Sequence, residues 1–190
     1  KDDHITETYT FRELIQQNLK ANSWGSLGID IALGAVIDRN AKPIEYQFLP
    51  DYVFKGAANA FIHRDGETEP LVKNTKVLFE NSPQPTANNF FLSPIFTLGL
   101  LGLLIIFLTY RNYKNSCRSR YLDTTIFFFT GLIGIFLLLL WFATDHTATA
   151  NNYNLLWAFP ISILVFWAIA KKKVSTKFKR YALLLLLLLI

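Results

Sequence analysis

YLDTTIFFFTGLIGIFLLLLWFATDHTATANNYNLLWAFP, residues 121–160, decides the fold class. From Tyr121 to Thr144 the stretch is mostly Leu, Ile and Phe, with Asp123 its only charge. At a rise of about 1.5 Å per residue, about 20 such residues cross the hydrocarbon core of a bilayer. A short polar passage follows, with Asp145, His146, Asn151, Asn152 and Asn154, and then the chain turns apolar again. That pattern predicts two membrane segments joined by a loop that carries more chemistry than a simple turn requires.

Working outward, Leu92–Tyr110 is a second segment of spanning length, and Asn154–Ala170 a shorter one that contains Pro160. The shorter one is expected either to begin in the interface near Asn154 or to lean on neighbours that satisfy the carbonyl its proline leaves free. YALLLLLLLI, residues 181–190, is too short to span and is expected to be a truncated helix. Hydrophobic residues make up 52% of the chain and charged residues 17%, and the apolar excess lies after residue 90. The fold class expected is therefore an α-helical integral membrane protein with at least three to four transmembrane helices, about 92–110, 121–144, 154–170 and 181–190. A linker, NSPQPTANN and its flank, is expected over 81–91, and a small α+β segment over 1–80. The chain opens at Lys1 and contains no methionine and no basic-then-apolar leader, so further sequence is expected upstream.

Charge predicts orientation. Residues 1–92 hold twelve acids and nine bases, whereas the rest holds ten bases and only Asp123 and Asp145. Those ten bases fall in 111–120 and 171–180, and short loops rich in Lys and Arg stay in the cytoplasm. The loop at 145–153 and residues 1–92 are then expected on the opposite, outward-facing side of the membrane. The net charge of +5 is a topology signal and gives no case for a nucleic-acid partner. Trp141, Phe142, Tyr153 and Trp157 bracket the loop as an interfacial aromatic belt does. The single cysteine, Cys117, sits among the cytoplasmic bases, where no disulfide within the chain can form.

In the first segment, Thr10 and Glu13 have capping-box spacing, and Phe11, Leu14, Ile15 and Leu19 then share one helix face. GSLGIDIALGAVID, 25–38, reads as buried backbone whose glycines permit close approach, and it matches no dinucleotide or phosphate-loop fingerprint. Pro50 at a first helical position predicts a helix to about Ile62, Asp65-Gly66 a turn, and LVKNTKVLFE, 71–80, a strand pair. Ser93-Pro94 is expected to cap the first membrane helix.

His4, His63 and His146 are too scattered for a metal centre, and neither a metal nor an organic cofactor is expected. Asp145 and His146 read in two ways. They and the asparagines end a helix and make turns, or the imidazole acts as a base near lipid esters while the carboxylate holds its tautomer or binds an amine. Asp30, among apolar residues, is bonded to local amides or paired with a cation. Asp38-Arg39 reads as a structural ion pair or turn in preference to a substrate clamp. Trp24, Asp30, Asp38 and Arg39 are thus candidates for supporting the domain, and Asp145, His146, Asn151, Asn152, Asn154 and Trp157 for a site at the membrane interface.

Three blocks carry a resemblance: SWGSLGIDIALGAVIDR at 23–39, EYQFLPDYVF at 45–54 and TDHTATANNYNLLWAFP at 144–160. In that order they resemble the C-terminal part of the Bacteroidota lipoprotein N-acyltransferase family, Lnb. The resemblance implies a periplasmic domain like that of papain and NlpC cysteine peptidases, of which residues 1–80 would be the closing half, followed by membrane helices. It implies an enzyme that adds the N-terminal acyl chain to the lipidated cysteine of lipoproteins, with membrane lipids and lipoproteins as its substrates. It places the nucleophilic cysteine and a histidine upstream of this chain, and Cys117, in a loop read as cytoplasmic, cannot replace that cysteine. The loop at 145–154 would be the membrane part's contribution to the site. Two other readings stand beside it: a periplasmic cysteine hydrolase on the same scaffold, and a non-catalytic subunit docking an envelope protein complex.

Overall fold

The computed structural model describes residues 7–80, 89–171 and 173–189, which form two compact units. The first comprises 7–18 and 38–80, and the second 19–37 together with 89–189. Most of the expected 81–91 linker, like His4, Lys172 and Ile190, lies outside the described residues.

The first unit opens with α1, Phe11–Gln16. Its capping box is complete: the Glu13 amide donates to Thr10 Oγ1 at 3.2 Å and the Thr10 amide to Glu13 Oε2 at 2.7 Å. The helix stops at Gln16, short of the expected Leu19, and the Asn18 carboxamide donates back to the Leu14 carbonyl at 3.1 Å. A 3-10 helix, Pro43–Phe48, leads into α3, Pro50–Ala58, which has its proline at a first-turn position where no N–H is needed. Leu14, Ala41 and Tyr46 form the buried core, flanked by Tyr9, Phe11, Leu49 and Tyr52. The buried Tyr46 hydroxyl is satisfied twice, accepting from the Tyr9 amide at 2.7 Å and donating to the Glu7 carbonyl at 3.1 Å.

The strand pair lies earlier than 71–80. It comprises β1, Phe61–Arg64, and β2, Glu67–Pro70, antiparallel with Arg64 opposite Glu67. Asp65 and Gly66 between them have φ of 52° and 85°, the left-handed pair that a two-residue hairpin turn requires. Residues 71–80 contain no such dipeptide and adopt no regular structure.

In the second unit, 25–38 is not simply buried backbone. Trp24–Ala32 is a helix, α2, capped by Ser23 and without a fully buried residue, and burial is confined to Gly34 and Ile37 beyond its end. Helices α4, Pro94–Lys114, and α5, Arg120–Phe142, are long and apolar enough to cross a membrane. Ser93 Oγ caps α4 by accepting from the Phe96 amide at 3.4 Å.

The third apolar segment is broken. A 3-10 turn spans Tyr153–Leu156, and regular helix, α6, begins only at Ser162 and ends at Ile169. Pro160 brings no N–H to a helical ladder, and α5 offers the support instead. A Cβ on Gly134 would lie 2.0 Å from the Ala158 carbonyl oxygen, and one on Gly131 would lie 2.3 Å from the Ile163 nitrogen. Only glycine lets the two backbones meet in this way. At the far end of α6, Arg118 donates to the Ile169 carbonyl at 2.8 Å and Arg120 to that of Ala170 at 3.3 Å, so cations meet the last carbonyls of the helix. The last helix, α7, runs Thr176–Leu188 and takes in Lys177, Lys179 and Arg180, which the charge pattern had placed in a loop. Ser175 sets its start, its hydroxyl accepting from the Phe178 amide at 3.3 Å.

Candidate functional site

The passage between α5 and α6 is built by threonine and asparagine. Thr149, buried, has its Oγ1 2.7 Å from the Leu140 carbonyl oxygen and 2.8 Å from that of His146, so its one hydroxyl hydrogen is shared between the two carbonyls. It thus satisfies a carbonyl at the end of α5 that has no intrahelical partner. Asn151 takes φ of 54°, a conformation asparagine tolerates better than most side chains, and its carbonyl accepts from the Ala35 amide at 3.0 Å.

Asn152 and Asn154 reach across to α2. The Asn152 carboxamide, 2% exposed, donates to the Ile31 carbonyl at 2.8 Å and the Ala32 carbonyl at 3.0 Å. The Asn154 carboxamide donates to the carbonyls of Asp30 at 3.3 Å and Ile31 at 3.1 Å. Three of the four final carbonyls of α2, which a helix leaves unpaired, are thus capped by side chains from a segment more than a hundred residues away. The cap is held from behind. Asn152 Oδ1 accepts from the Asn154 amide at 3.0 Å, and Asn154 Oδ1 from the Trp157 indole N–H at 2.9 Å. Trp157 also lines an apolar cavity of about 260 Å³ against α5 and α7.

Main chain completes the junction. The Gly34 amide donates to the Ala148 carbonyl at 2.9 Å, and a Cβ on Gly34 would stand 1.7 Å from the Ala150 carbonyl oxygen. The other end of α2 is fixed as well: the Trp24 indole donates to the Leu92 carbonyl at 2.9 Å, and Asn22 Oδ1 accepts from the Ile95 amide at 3.1 Å.

Asp145 and His146 stand apart from this lattice. Both are exposed, and neither side chain hydrogen-bonds to a described residue; His146 contributes its backbone carbonyl to Thr149. The structure therefore gathers Asp30, Asn151, Asn152, Asn154 and Trp157 into one junction, places Trp24 at the far end of α2, and leaves Asp145 and His146 on the loop surface. Sequence reasoning passed over Thr149 and Asn22. It gave close approach to Gly25, Gly28 and Gly34 alike; the structure bears this out for Gly34 and leaves Gly25 and Gly28 without a backbone neighbour, a difference nothing in the local pattern marks.

Asp38 and Arg39 belong to the first unit. They pair with different partners: Asp38 with Arg12 at 2.5 Å, and Arg39 with Glu45 through two bonds of 2.6 and 2.8 Å. Arg39 also stacks its guanidinium 4.8 Å from the centroid of Phe11. The Arg39 fork, helped by the Lys42 amide, pulls the Glu45 carboxyl down to about 2 from 4.5. Among the described residues, no three His, Cys, Asp or Glu side chains gather where they could hold a metal.

Residues 86–190 match a family model described as the Lnb transmembrane domain. No curated protein and no solved structure matches the chain. The match and the two spanning helices together make this an integral membrane protein.

Proposed function

This chain belongs to the Lnb family, and on that premise we propose that it is part of an inner-membrane acyltransferase that N-acylates the lipidated N-terminal cysteine of lipoproteins. Residues 1–92 and the loop at 145–153 face the periplasm, and the basic stretches near 111–120 and 171–180 face the cytoplasm. The positive-inside distribution of charge supports this orientation. A cysteine upstream of Lys1, in a peptidase-like domain that residues 1–80 complete, supplies the nucleophile. Its thiolate attacks an acyl ester of a membrane lipid, expelling the lipid's alcohol, which takes up a proton, and forming a thioester. The amine of the lipidated cysteine then attacks the thioester, releasing the thiolate and a proton and forming the amide.

Asp145, His146 and the asparagine-braced loop are the membrane domain's share of the site. The observation that carries the reading is the family match across the membrane region. The exposed side chains of Asp145 and His146, on a loop whose backbone is held by Thr149, Asn152 and Asn154, are consistent with it, as is the apolar cavity beside Trp157. Mass spectrometry of lipoprotein N-terminal peptides tests it, comparing cells without the gene with cells complemented by wild type, Asp145→Ala or His146→Ala. Lipoproteins that keep all their acyl chains in the deletion strain refute the enzyme. Full acylation by both variants at normal protein level refutes the role of the loop.

A further inference from the structure

Residues 19–37 lie outside the region matched to the family's transmembrane domain, yet they belong to the same compact unit as that region. Where α2 sits follows from its two anchors. Helices α4 and α5, of 21 and 23 residues, are close to the length that crosses the hydrocarbon core. They are joined at Asn115–Ser119, so the start of α4 and the end of α5 lie at the same membrane boundary. One end of α2 is bonded to Leu92 and Ile95 at the start of α4. Its other end is bonded to Asn152 and Asn154, in the passage that follows α5. A helix tied at both ends to one boundary runs along that boundary and does not cross it.

Its exposed side is apolar. Trp24 is 52% exposed, Gly25 and Gly28 are exposed beside it, and the polar residues of the helix, Ser26 and Asp30, lie on the partly covered side. A surface helix in water carries the reverse pattern. Around it the same boundary presents Phe90, Phe91 and Ile95 to the outside, so the face of α2 continues the lipid-facing surface of α4.

We infer that α2 is an interfacial helix, seated in the headgroup and upper acyl region of the bilayer with Trp24, Gly25 and Gly28 toward lipid. It extends the membrane domain by a segment that is distant in sequence, and its occupant is the lipid surface itself. Nothing in this placement depends on the acyl-transfer chemistry.

The test uses the full chain in nanodiscs of phosphatidylethanolamine and phosphatidylglycerol, with Cys117→Ser as background and a nitroxide on Gly28→Cys. A Cβ at Gly28 meets nothing within 4 Å, so the substitution leaves the packing intact. Gly25→Cys, whose nearest neighbour is Ser23 Oγ at 3.9 Å, serves as a second probe. Labels on Leu104→Cys, within α4, and Lys114→Cys, at its end, mark lipid and water. The ratio of oxygen to water-soluble nickel accessibility at positions 25 and 28 is expected several-fold above that at 114 and between the two references. A ratio equal to that at 114 places α2 in water and overturns the inference. Low access to both relaxers places the face against protein and overturns it equally.

Discussion

Replacing Asn152 separates the geometry of the junction from its chemistry. Its carboxamide donates to the Ile31 and Ala32 carbonyls at 2.8 and 3.0 Å, and its oxygen accepts from the Asn154 amide at 3.0 Å, all at a site only 2% exposed. Asn152→Ala removes the three bonds and leaves groups that water reaches poorly. At about 1 kcal/mol net per bond, α2 should lose about 2–3 kcal/mol of its attachment to the loop. Asn152→Asp keeps the shape and the bond from Asn154 but loses both donors and sets a carboxylate against two carbonyl oxygens. Although nearly isosteric, it should therefore cost more than alanine at neutral pH. The readout is hydrogen exchange at the Gly34 and Ala35 amides, which are bonded to the Ala148 and Asn151 carbonyls and so report the docked state directly. About 2 kcal/mol corresponds to roughly 30-fold faster exchange for the alanine variant, with the aspartate variant faster still. The aspartate variant adds a pH signature. Its folded-state pKa is raised above the unfolded value of about 3.9, so its deficit is greatest at neutral pH. The deficit shrinks as pH falls through the raised value, where the neutral carboxyl regains one donor. Each variant is compared with wild type at the same pH. Wild-type exchange at 34 and 35 in the aspartate variant at neutral pH would refute the reasoning.

Gly134→Ala places a methyl group 2.0 Å from the Ala158 carbonyl oxygen and should lower the melting temperature in detergent by an amount equivalent to about 1–3 kcal/mol, whereas Gly99→Ala, with nothing within 4 Å, should not lower it. The Glu45 carboxyl, held near 2 by Arg39, contributes stability that is complete above 4.5 and fades as pH falls toward 2. Glu45→Gln should flatten the acid dependence of exchange at the Ala41 amide, which is bonded to the Tyr9 carbonyl, and an unchanged acid profile would count against the ion pair. Arg118 bonds both Asp123 at 2.6 Å and the Ile169 carbonyl at 2.8 Å, a fork that lysine cannot reproduce. Exchange at the Ala170 amide should therefore rise in Arg118→Lys and further in Arg118→Ala; equal rates in all three proteins would show that α6 ends without help from Arg118.

Features governed by a few adjacent residues were legible. Thr10 with Glu13, Ser93 before Pro94, Pro50, and Asp65-Gly66 each fix a cap or turn by local chemistry, and the structure has all of them in place. Length and apolar composition similarly specified α4 and α5 to within a few residues. What was illegible depends on partners far along the chain. The run 25–38 is apolar enough to suggest burial, yet α2 is a partly exposed helix whose last carbonyls are satisfied by Asn152 and Asn154, and no window of sequence around Trp24 contains them. Of the three glycines there, only Gly34 meets another backbone, while Gly28 faces open space. The late start of α6 has the same origin: the irregular stretch 153–161 packs its backbone at Ala158 and Pro160 onto Gly134 of α5, and Gly131 receives the first turn of α6 at Ser162 and Ile163. Of the candidate site residues, the asparagines read either as turn-makers or as part of an interface site, and the α2 carbonyls that Asn152 and Asn154 cap could not be read from spacing.

The contrast between the asparagines and the adjacent Asp145 and His146 bears on where chemistry can reside. A carboxamide suits a junction because it donates and accepts at once without charge, so Asn152 can sit buried between two carbonyls and an amide without the desolvation cost that a buried ion incurs. Its hydrogen bonds are spent on structure, and so are those of Asn154, which is held by Trp157. Asp145 and His146 have the opposite disposition, with exposed side chains on a backbone fixed through the Thr149 and His146 pairing. A group that exchanges protons or meets a headgroup must be free in its side chain and fixed in its main chain. In this loop His146 meets both conditions, and Asp145 offers an exposed side chain beside it. On the proposed acyltransferase reading, acylation should respond to His146→Ala without faster exchange at Gly34 and Ala35, and to Asn152→Ala only together with it. The same response of exchange in both variants would mean that the loop acts as one structural body, with no division between brace and reacting group.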